Sequence, residues 1–280
     1  MITPEQHRYI VARAYVPEHL PAYVTAVSPV EPFLLDDFVV YVDHKRLVCV
    51  GYPLGGTFDE AQLTAMLDEA INRFKPGVVS VIGPVAPASL PDCTESPADA
   101  YYRLDLSTLS MPQKVRHMLN RAGRDLSIQP AERCGREHKK LIKAFQRARP
   151  LDEATRLIFQ RMPDYVNSSP TARLFEVRNK QGKLVVFDVA EFGTKDYAFY
   201  MFNFCSEKYY VPGASDLLLA EVIEQANREG KRYLNLGLGI NPGVTFFKTK
   251  WGGVPFLRYL ACVYERPRAN VWEDIFDGLL

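Results

Sequence analysis

The chain has 280 residues, 47% of them hydrophobic and 24% charged, with a formal net charge of +1. That balance excludes disordered and fibrous chains and leaves length for one large or two ordinary globular domains. No apolar run approaches the roughly 20 residues of a spanning helix, and the charged start MITPEQHRYIVARAY lacks the apolar stretch of a signal peptide, so a cytoplasmic protein is expected.

In chain order, strands are predicted at 38–42 and 46–51, joined by the turn Asp43-His44-Lys45. A helix is predicted over 58–74. Thr57 and Glu60 form a capping-box pattern at its start, and Pro76-Gly77 closes it. The apolar run VVSVIG then reads as a strand ending in Gly83-Pro84. Residues 99–112 and 147–153 are the loosest stretches and the expected domain joints. Between them, Ser110 and Pro112 open a helix to about Arg121, with Val115, Met118, Leu119 and Ala122 on its apolar face. A second basic helix is predicted over 137–147.

Further on, 174–178 and 184–192 flank the turn Asn179-Lys180-Gln181-Gly182, a hairpin pattern, and 197–204 continues the sheet with aromatics. Gly213 and Ser215 open a helix over 216–228, whose Leu218, Val222 and Ala226 row is apolar. Gly230 closes it, and 233–236 is a strand ending in Gly237. Hairpin, helix, strand and glycine thus occur twice, which predicts two copies of one α/β unit.

Charge is unevenly placed. Residues 114–149 hold eleven Lys or Arg against three acids, a local charge of +8 that leaves −7 for the remainder. Lys114, Arg116, Arg121 and Lys140 are the candidate contacts to an anionic donor, solvated helix faces being the alternative. Cys49, Cys93, Cys134, Cys205 and Cys262 are odd in number and widely spaced. Free, mostly buried thiols are therefore expected, neither a disulfide framework nor a zinc site. The five histidines show no metal-binding spacing, so no metal is expected, and no Gly-x-Ser-x-Gly elbow is present.

Four stretches carry a family resemblance. VRHMLNRAGRDLSIQP resembles the basic-to-strand transition of Fem-type peptidoglycan aminoacyltransferases and of the catalytic domain of phosphatidylglycerol lysyltransferases. VCVGYPLGG, YLNLGLGINPG and FFKTKWGGVPFLRYLA are similar to the latter's Val-Gly-Asp-Pro-Val-Gly, Asn-Leu-Gly-Met-Ala-Pro and Phe-Lys-x-Lys-Phe…Pro-Arg-Tyr-Leu-Ala segments, in the same order. The resemblance implies an α/β (α+β) fold of two tandem GNAT-like acyltransferase domains with mostly antiparallel sheets. These are expected at 1–105 and 106–280, with a basic helical segment at 110–149. It implies transfer of an aminoacyl or acyl group from an activated donor to an amine or hydroxyl acceptor. Aminoacyl-tRNA is the favoured donor and acyl-CoA the alternative co-substrate; no tightly bound cofactor is expected. The acceptor would be a small molecule, a peptide or a lipid headgroup. The chain departs from the pattern at Tyr52, where the resemblance has Asp, and at Tyr210-Val-Pro-Gly213, where the GNAT pyrophosphate signature has Gln or Arg first. A non-catalytic anion-binding protein of the same fold is the competing expectation, and an assembly role a third.

On this resemblance Lys248 lies near the transferred carbonyl and would stabilise its oxyanion, with Lys250 the weaker candidate. Asn235, Gly237 and Gly239 end the strand that a GNAT-like domain splays, where glycine lets a ligand approach the backbone. Of Arg258 and Tyr259, which alternate faces, Arg258 is the substrate candidate. Asp188 and Glu191 interrupt the apolar run VVFDVAEF and are candidates for taking the acceptor's proton. Tyr200 and Asn203 are candidate pocket walls.

Overall fold

The computed structural model describes residues 1–90 and 92–266. In chain order its elements are α1 (Pro4–Arg13), α2 (Pro21–Val27), β1 (Glu31–Leu35), β2 (Phe38–Val42), β3 (Arg46–Val50), α3 (Glu60–Phe74) and β4 (Val78–Gly83). Then come β5 (Thr94–Glu95), β6 (Asp99–Asp105), α4 (Gln113–Ala122), β7 (Leu126–Ala131), α5 (Arg136–Arg147) and α6 (Glu153–Ser168). The chain continues through β8 (Ala172–Asn179), β9 (Leu184–Glu191), β10 (Tyr197–Cys205), α7 (Ala214–Arg228), β11 (Tyr233–Leu238), α8 (Pro242–Thr249) and β12 (Val254–Glu265). They form two compact units. The first comprises Met1–Thr3, Val30–Ala98 and the chain from Arg258; the second comprises Pro4–Pro29 and Asp99–Leu257.

In the first unit β1, β2 and β3 are an antiparallel meander, and β3 pairs β4 in parallel across the helical crossover of α3. Asp43 fixes the β2–β3 turn by accepting from the N–H groups of Lys45 and Arg46, each at 2.8 Å. The helix starts two residues later than the capping box suggested. Asp59 is its N-cap, accepting from Ala61 N at 2.8 Å, and Lys75 in the left-handed region ends it. Its Leu63, Met66, Leu67 and Ala70 lie against Val40, Leu47, Val79 and Val81 of the sheet. The C-terminal part of β12 pairs antiparallel with β4, Leu260 opposite Gly83 through Glu265 opposite Val78. Cys93 and Cys262 form a disulfide there, so the expectation of five free thiols is corrected; Cys49, Cys134 and Cys205 are free. The pair spans 169 positions, which no local spacing pattern reveals.

The second unit repeats the order. β8 and β9 are antiparallel, β9 and β10 are antiparallel, and β10 pairs β11 in parallel across α7. β6 flanks β11 and β7 flanks β8, both antiparallel. All eight residues of β9 are buried, because helices cover both of its faces. Val186 and Ala190 pack with Leu218, Leu219 and Val222 of α7. Phe187 and Val189 pack with Ile142 of α5 and Met162, Tyr165 and Val166 of α6. A continuous apolar run is what such a two-sided strand requires.

The compact units depart from the linear division at residue 105. The chain's N-terminal helices α1 and α2 belong to the second unit, and the C-terminal stretch from Arg258 belongs to the first. Residues 267–280 of the expected second domain lie outside the described residues. The stretch at 99–112, expected to be a loose joint, contains β6, and α6 fills the segment after the second expected joint. Among the described residues no helix is long and apolar enough to cross a membrane.

Candidate active site

The two parallel pairs differ in a way that places the site. In the first unit β3 and β4 stay paired over five residues, Arg46 opposite Val78 to Val50 opposite Ile82, and Gly51 N still donates to Ile82 O at 2.7 Å. In the second unit the register of β10 and β11 ends after three pairs, at Phe199 opposite Asn235. Beyond that point both strands deform. β10 shifts register against β9 between Tyr200 and Phe202, and β11 shifts against β6 between Asn235 and Gly237. The two strands therefore part, and the edge of β10 from Tyr200 onward is left without a ladder partner on that side. Bulges beside a broken ladder re-aim side chains into the gap.

On the β11 side the wall is Lys248. Asn241 caps α8 by accepting from Val244 N at 3.0 Å, and Pro242 supplies its first turn. This aims Lys248, only 4% exposed, back at the strand end. Its Nζ donates to the carbonyl of Leu238 and lies 5.9 Å from the centre of the Tyr102 ring. A Cβ at Gly237 (φ 75°) would stand 3.7 Å from Nζ, so this backbone lies directly against the ammonium. Burial lowers the Lys248 pKa to about 7, with the Asp99 carboxylate pulling the other way.

Asp99 was not legible as a site residue. Its carboxylate accepts from Ala100 N at 2.7 Å, Gly239 N at 3.0 Å and Ile240 N at 2.8 Å. Ile240 has φ 60°, a left-handed conformation uncommon for a β-branched residue. Asp99 thus clamps the strained turn that presents the Leu238 carbonyl to Lys248. Lys250, the weaker candidate, is occupied elsewhere, paired with Asp216 at 2.7 Å. Asp216 also accepts from Nε1 of the fully buried Trp251 at 2.7 Å, which ties the end of α8 to the start of α7.

The glycines act differently from the expectation. Gly237 N donates to Asn235 Oδ1 at 2.7 Å, and Gly239 N is bound to Asp99 and to Ala100 O, so neither offers its N–H to a ligand. Asn235 is fully buried, and its Nδ2 donates to Tyr15 O at 2.7 Å, fastening the segment after α1 to the splay. Its role is to hold the strand end.

Asp188 and Glu191 are three apart on β9 and so face opposite sides. Glu191 lies on the α6 side, where Tyr165 OH donates to it and Phe192 N and Gly193 N donate at 3.0 and 2.7 Å. With its oxygens so engaged it terminates a strand, and its expected role as a base is corrected. Asp188 lies on the α7 side with Tyr200 and Asn203; Asn203 Nδ2 donates to its Oδ1 at 2.5 Å, and Ser215 Oγ donates to Asn203 Oδ1 at 3.2 Å. Burial pushes the Asp188 carboxyl well above the usual carboxylate range. The Tyr200 ring stacks on Phe247, centres 6.4 Å apart, which brings this wall against α8.

Arg258 belongs to the first unit; its side chain is exposed, and its carbonyl accepts from the hydroxyl of buried Tyr52 at 2.7 Å. That bond gives Tyr52 a packing role at the position where the resemblance has Asp. The basic segment is solvent-facing. Lys114, Arg116 and Arg121 are exposed on α4, whose Val115 and Ala122 are buried. At 100° per residue Lys114 and Arg121 share a side and Arg116 takes another. Lys140 lines a surface depression of about 460 Å³ with Arg136, Lys139 and Lys143 at the start of α5.

The fold is that of tandem GNAT proteins, as comparison with solved structures shows. No protein-family model matches the chain, and no curated protein sequence does. The C-terminal domain of a provisionally assigned lysylphosphatidylglycerol synthetase from Agrobacterium fabrum superposes with a TM-score of 0.64 at 16% identity, covering 98% of this chain and 94% of that one. FemX gives a TM-score of 0.60 at 10% identity over 93% and 96% of the two chains. A tandem GNAT protein from the clavulanic acid biosynthesis pathway gives 0.52 at 13% identity over 83% and 79%. The chain therefore has the fold that its four motifs resembled.

Proposed function

We propose that the chain is an acyl- or aminoacyltransferase that uses aminoacyl-tRNA as donor and an amine or hydroxyl as acceptor. The observation that carries this reading is the parting of β10 and β11 with a buried lysine on its wall. In this reading the donor's carbonyl lies in the gap beside Lys248. The acceptor attacks it directly, the C–O bond to the tRNA ribose breaks, and no covalent enzyme intermediate forms. The Lys248 ammonium faces the oxygen on which charge develops, a preorganised stabilisation. With the Glu191 oxygens engaged, the acceptor's proton passes to water and the departing ribose oxygen takes one up from water.

Two features favour tRNA over acyl-CoA. The first is the set of exposed cations on α4 and α5, which suits a polyanion of many phosphates. The second is Gly213, the pyrophosphate-loop position at the start of α7. A Cβ there would meet Ala122 and Met118 of α4 at 3.1 Å, so helix packing accounts for the glycine. The acceptor class is a small molecule, peptide or lipid headgroup.

The test is transfer from charged tRNA and from acyl-CoA species, with Lys248→Ala alongside. A fall in turnover on the order of 10²-fold is expected for Lys248→Ala, with Lys250→Ala costing much less. tRNA affinity should fall steeply with salt and be weakened by Arg121→Ala and Lys140→Ala. Saturable acyl-CoA binding without tRNA binding at low salt would overturn the donor. Binding of anions without transfer would favour a non-catalytic binding protein.

A further inference from the structure

The layer between β9, β10 and α7 is aliphatic except at one place. Asp188 is fully buried there, beside Val186, Ala190 and Leu218. One of its oxygens accepts from Asn203; the other, Oδ2, has no hydrogen-bond partner. The Tyr200 hydroxyl, 8% exposed for the residue, also makes no aligned hydrogen bond, although it lies close enough to couple to Asp188 and Asn203. A buried polar oxygen left open is costly, so such groups are served by a protein partner, water or a ligand.

Asp188 Oδ2 and the second lone pair of Asn203 Oδ1 are acceptors, and the Tyr200 hydroxyl, whose proton can turn toward Asp188, keeps a lone pair to accept with. No cation contributes to the environment of Asp188, whose influences are burial and the Asn203 and Tyr200 side chains. The cluster also has an outlet. Asn203 is half-buried on β10 beyond the point where its pairing with β11 ends, and the half-buried Ser215 meets it from the start of α7. A phosphate would be repelled here, and a plain acyl chain would leave the oxygens unserved. A primary ammonium has three donors for three acceptors and brings the charge that a buried carboxylate lacks.

We propose that Asp188, Tyr200 and Asn203 form a subsite for the primary ammonium of the donor's aminoacyl group. The proposal rests on the aminoacyl-transfer reading and sharpens it. Lys248 would hold the carbonyl on one wall of the gap, and the ammonium would be fixed on the other. A CoA ester of a simple fatty or acetyl group has nothing to place there, so the subsite selects an aminoacyl donor over a plain acyl one.

The experiment is calorimetric or NMR titration of the whole protein with glycinamide, L-alaninamide and L-lysinamide, each beside its Nα-acetyl counterpart. At least one free amide should bind saturably, and Nα-acetylation should weaken it about 10-fold or more, the scale of one lost charge-assisted hydrogen bond. Asp188→Asn should weaken the free amide similarly while leaving the acetylated one unchanged. Tyr200→Phe provides a second variant should Asp188→Asn fail to fold. No binding of any free amide, or equal binding of free and acetylated forms, would overturn the subsite. So would an affinity indifferent to both variants. If the protein transfers aminoacyl groups while the amides ignore Asp188, the subsite fails and the transferase reading stands. If the amides bind as expected and no transfer occurs, the reverse holds.

Discussion

Replacing Lys248 by Met removes a charge and one hydrogen bond from a buried position while nearly conserving shape. The folded-state pKa of Lys248 is about 7 against an ordinary value of 10.5. Between those values the unfolded chain binds the extra proton, so the lysine penalises folding. The cost is fully present below pH 7 and is lost as pH rises to 10.5. At about 1.36 kcal/mol for each tenfold difference in proton affinity, the penalty is about 4 kcal/mol at pH 7. Losing the bond to Leu238 O costs about 1 kcal/mol in return, so Lys248→Met should gain about 3 kcal/mol at pH 7. Wild-type stability should also climb relative to the variant by about 1.5 kcal/mol between pH 7 and 8.5. Urea unfolding of both proteins at four pH values in that window measures this. Buried Cys49 and Cys134, whose thiols burial pushes up, act equally on both proteins and cancel in the difference. Parallel stability–pH curves for the two proteins would refute the reasoning.

Three other outcomes are expected. Asp99→Asn leaves one acceptor oxygen for the 239–240 turn in place of two and removes the charge that raises the Lys248 pKa; the fall of kcat with rising pH should therefore move to lower pH, and an unmoved profile would exclude the coupling. Glu191→Ala should destabilise by about 2–4 kcal/mol in urea unfolding, because the Tyr165 hydroxyl and Gly193 N lose their acceptor while Phe192 N keeps only Thr171 O. Cys93→Ser should cost about 3 kcal/mol by opening a cross-link over 169 positions, and reductant should then have no further effect on stability.

Periodicity and turn chemistry made most elements legible. The Asp43 and Asn179 turns and the α7 face follow from residues close in sequence. What stayed hidden depends on distance. β6 reads as loose polar chain, yet its Asp99 reaches the turn 140 positions on. The disulfide and the assignment of α1 and α2 to the second unit have the same long-range character. One miss was local. Asp188 and Glu191 differ by an odd number on a strand, so the period of two already separates them. The occupation of the Gly237 and Gly239 N–H groups could not be foreseen, because their acceptors come from a side chain two residues back and from another strand.

The threading of the two units sets an order of events during synthesis. Helices α1 and α2 are made before the partners they pack on, which begin only at Asp99, after the stretch Val30–Ala98 that belongs to the other unit. In the first unit β4 is made well before β12, the strand that pairs with it. Neither unit can finish vectorially as an N-terminal domain would. The nascent chain must carry two unfinished sheets until the stretch after α8 emerges. A truncation at any single internal position, residue 105 included, removes part of at least one unit, so dissection of this protein calls for circular permutation in place of cutting.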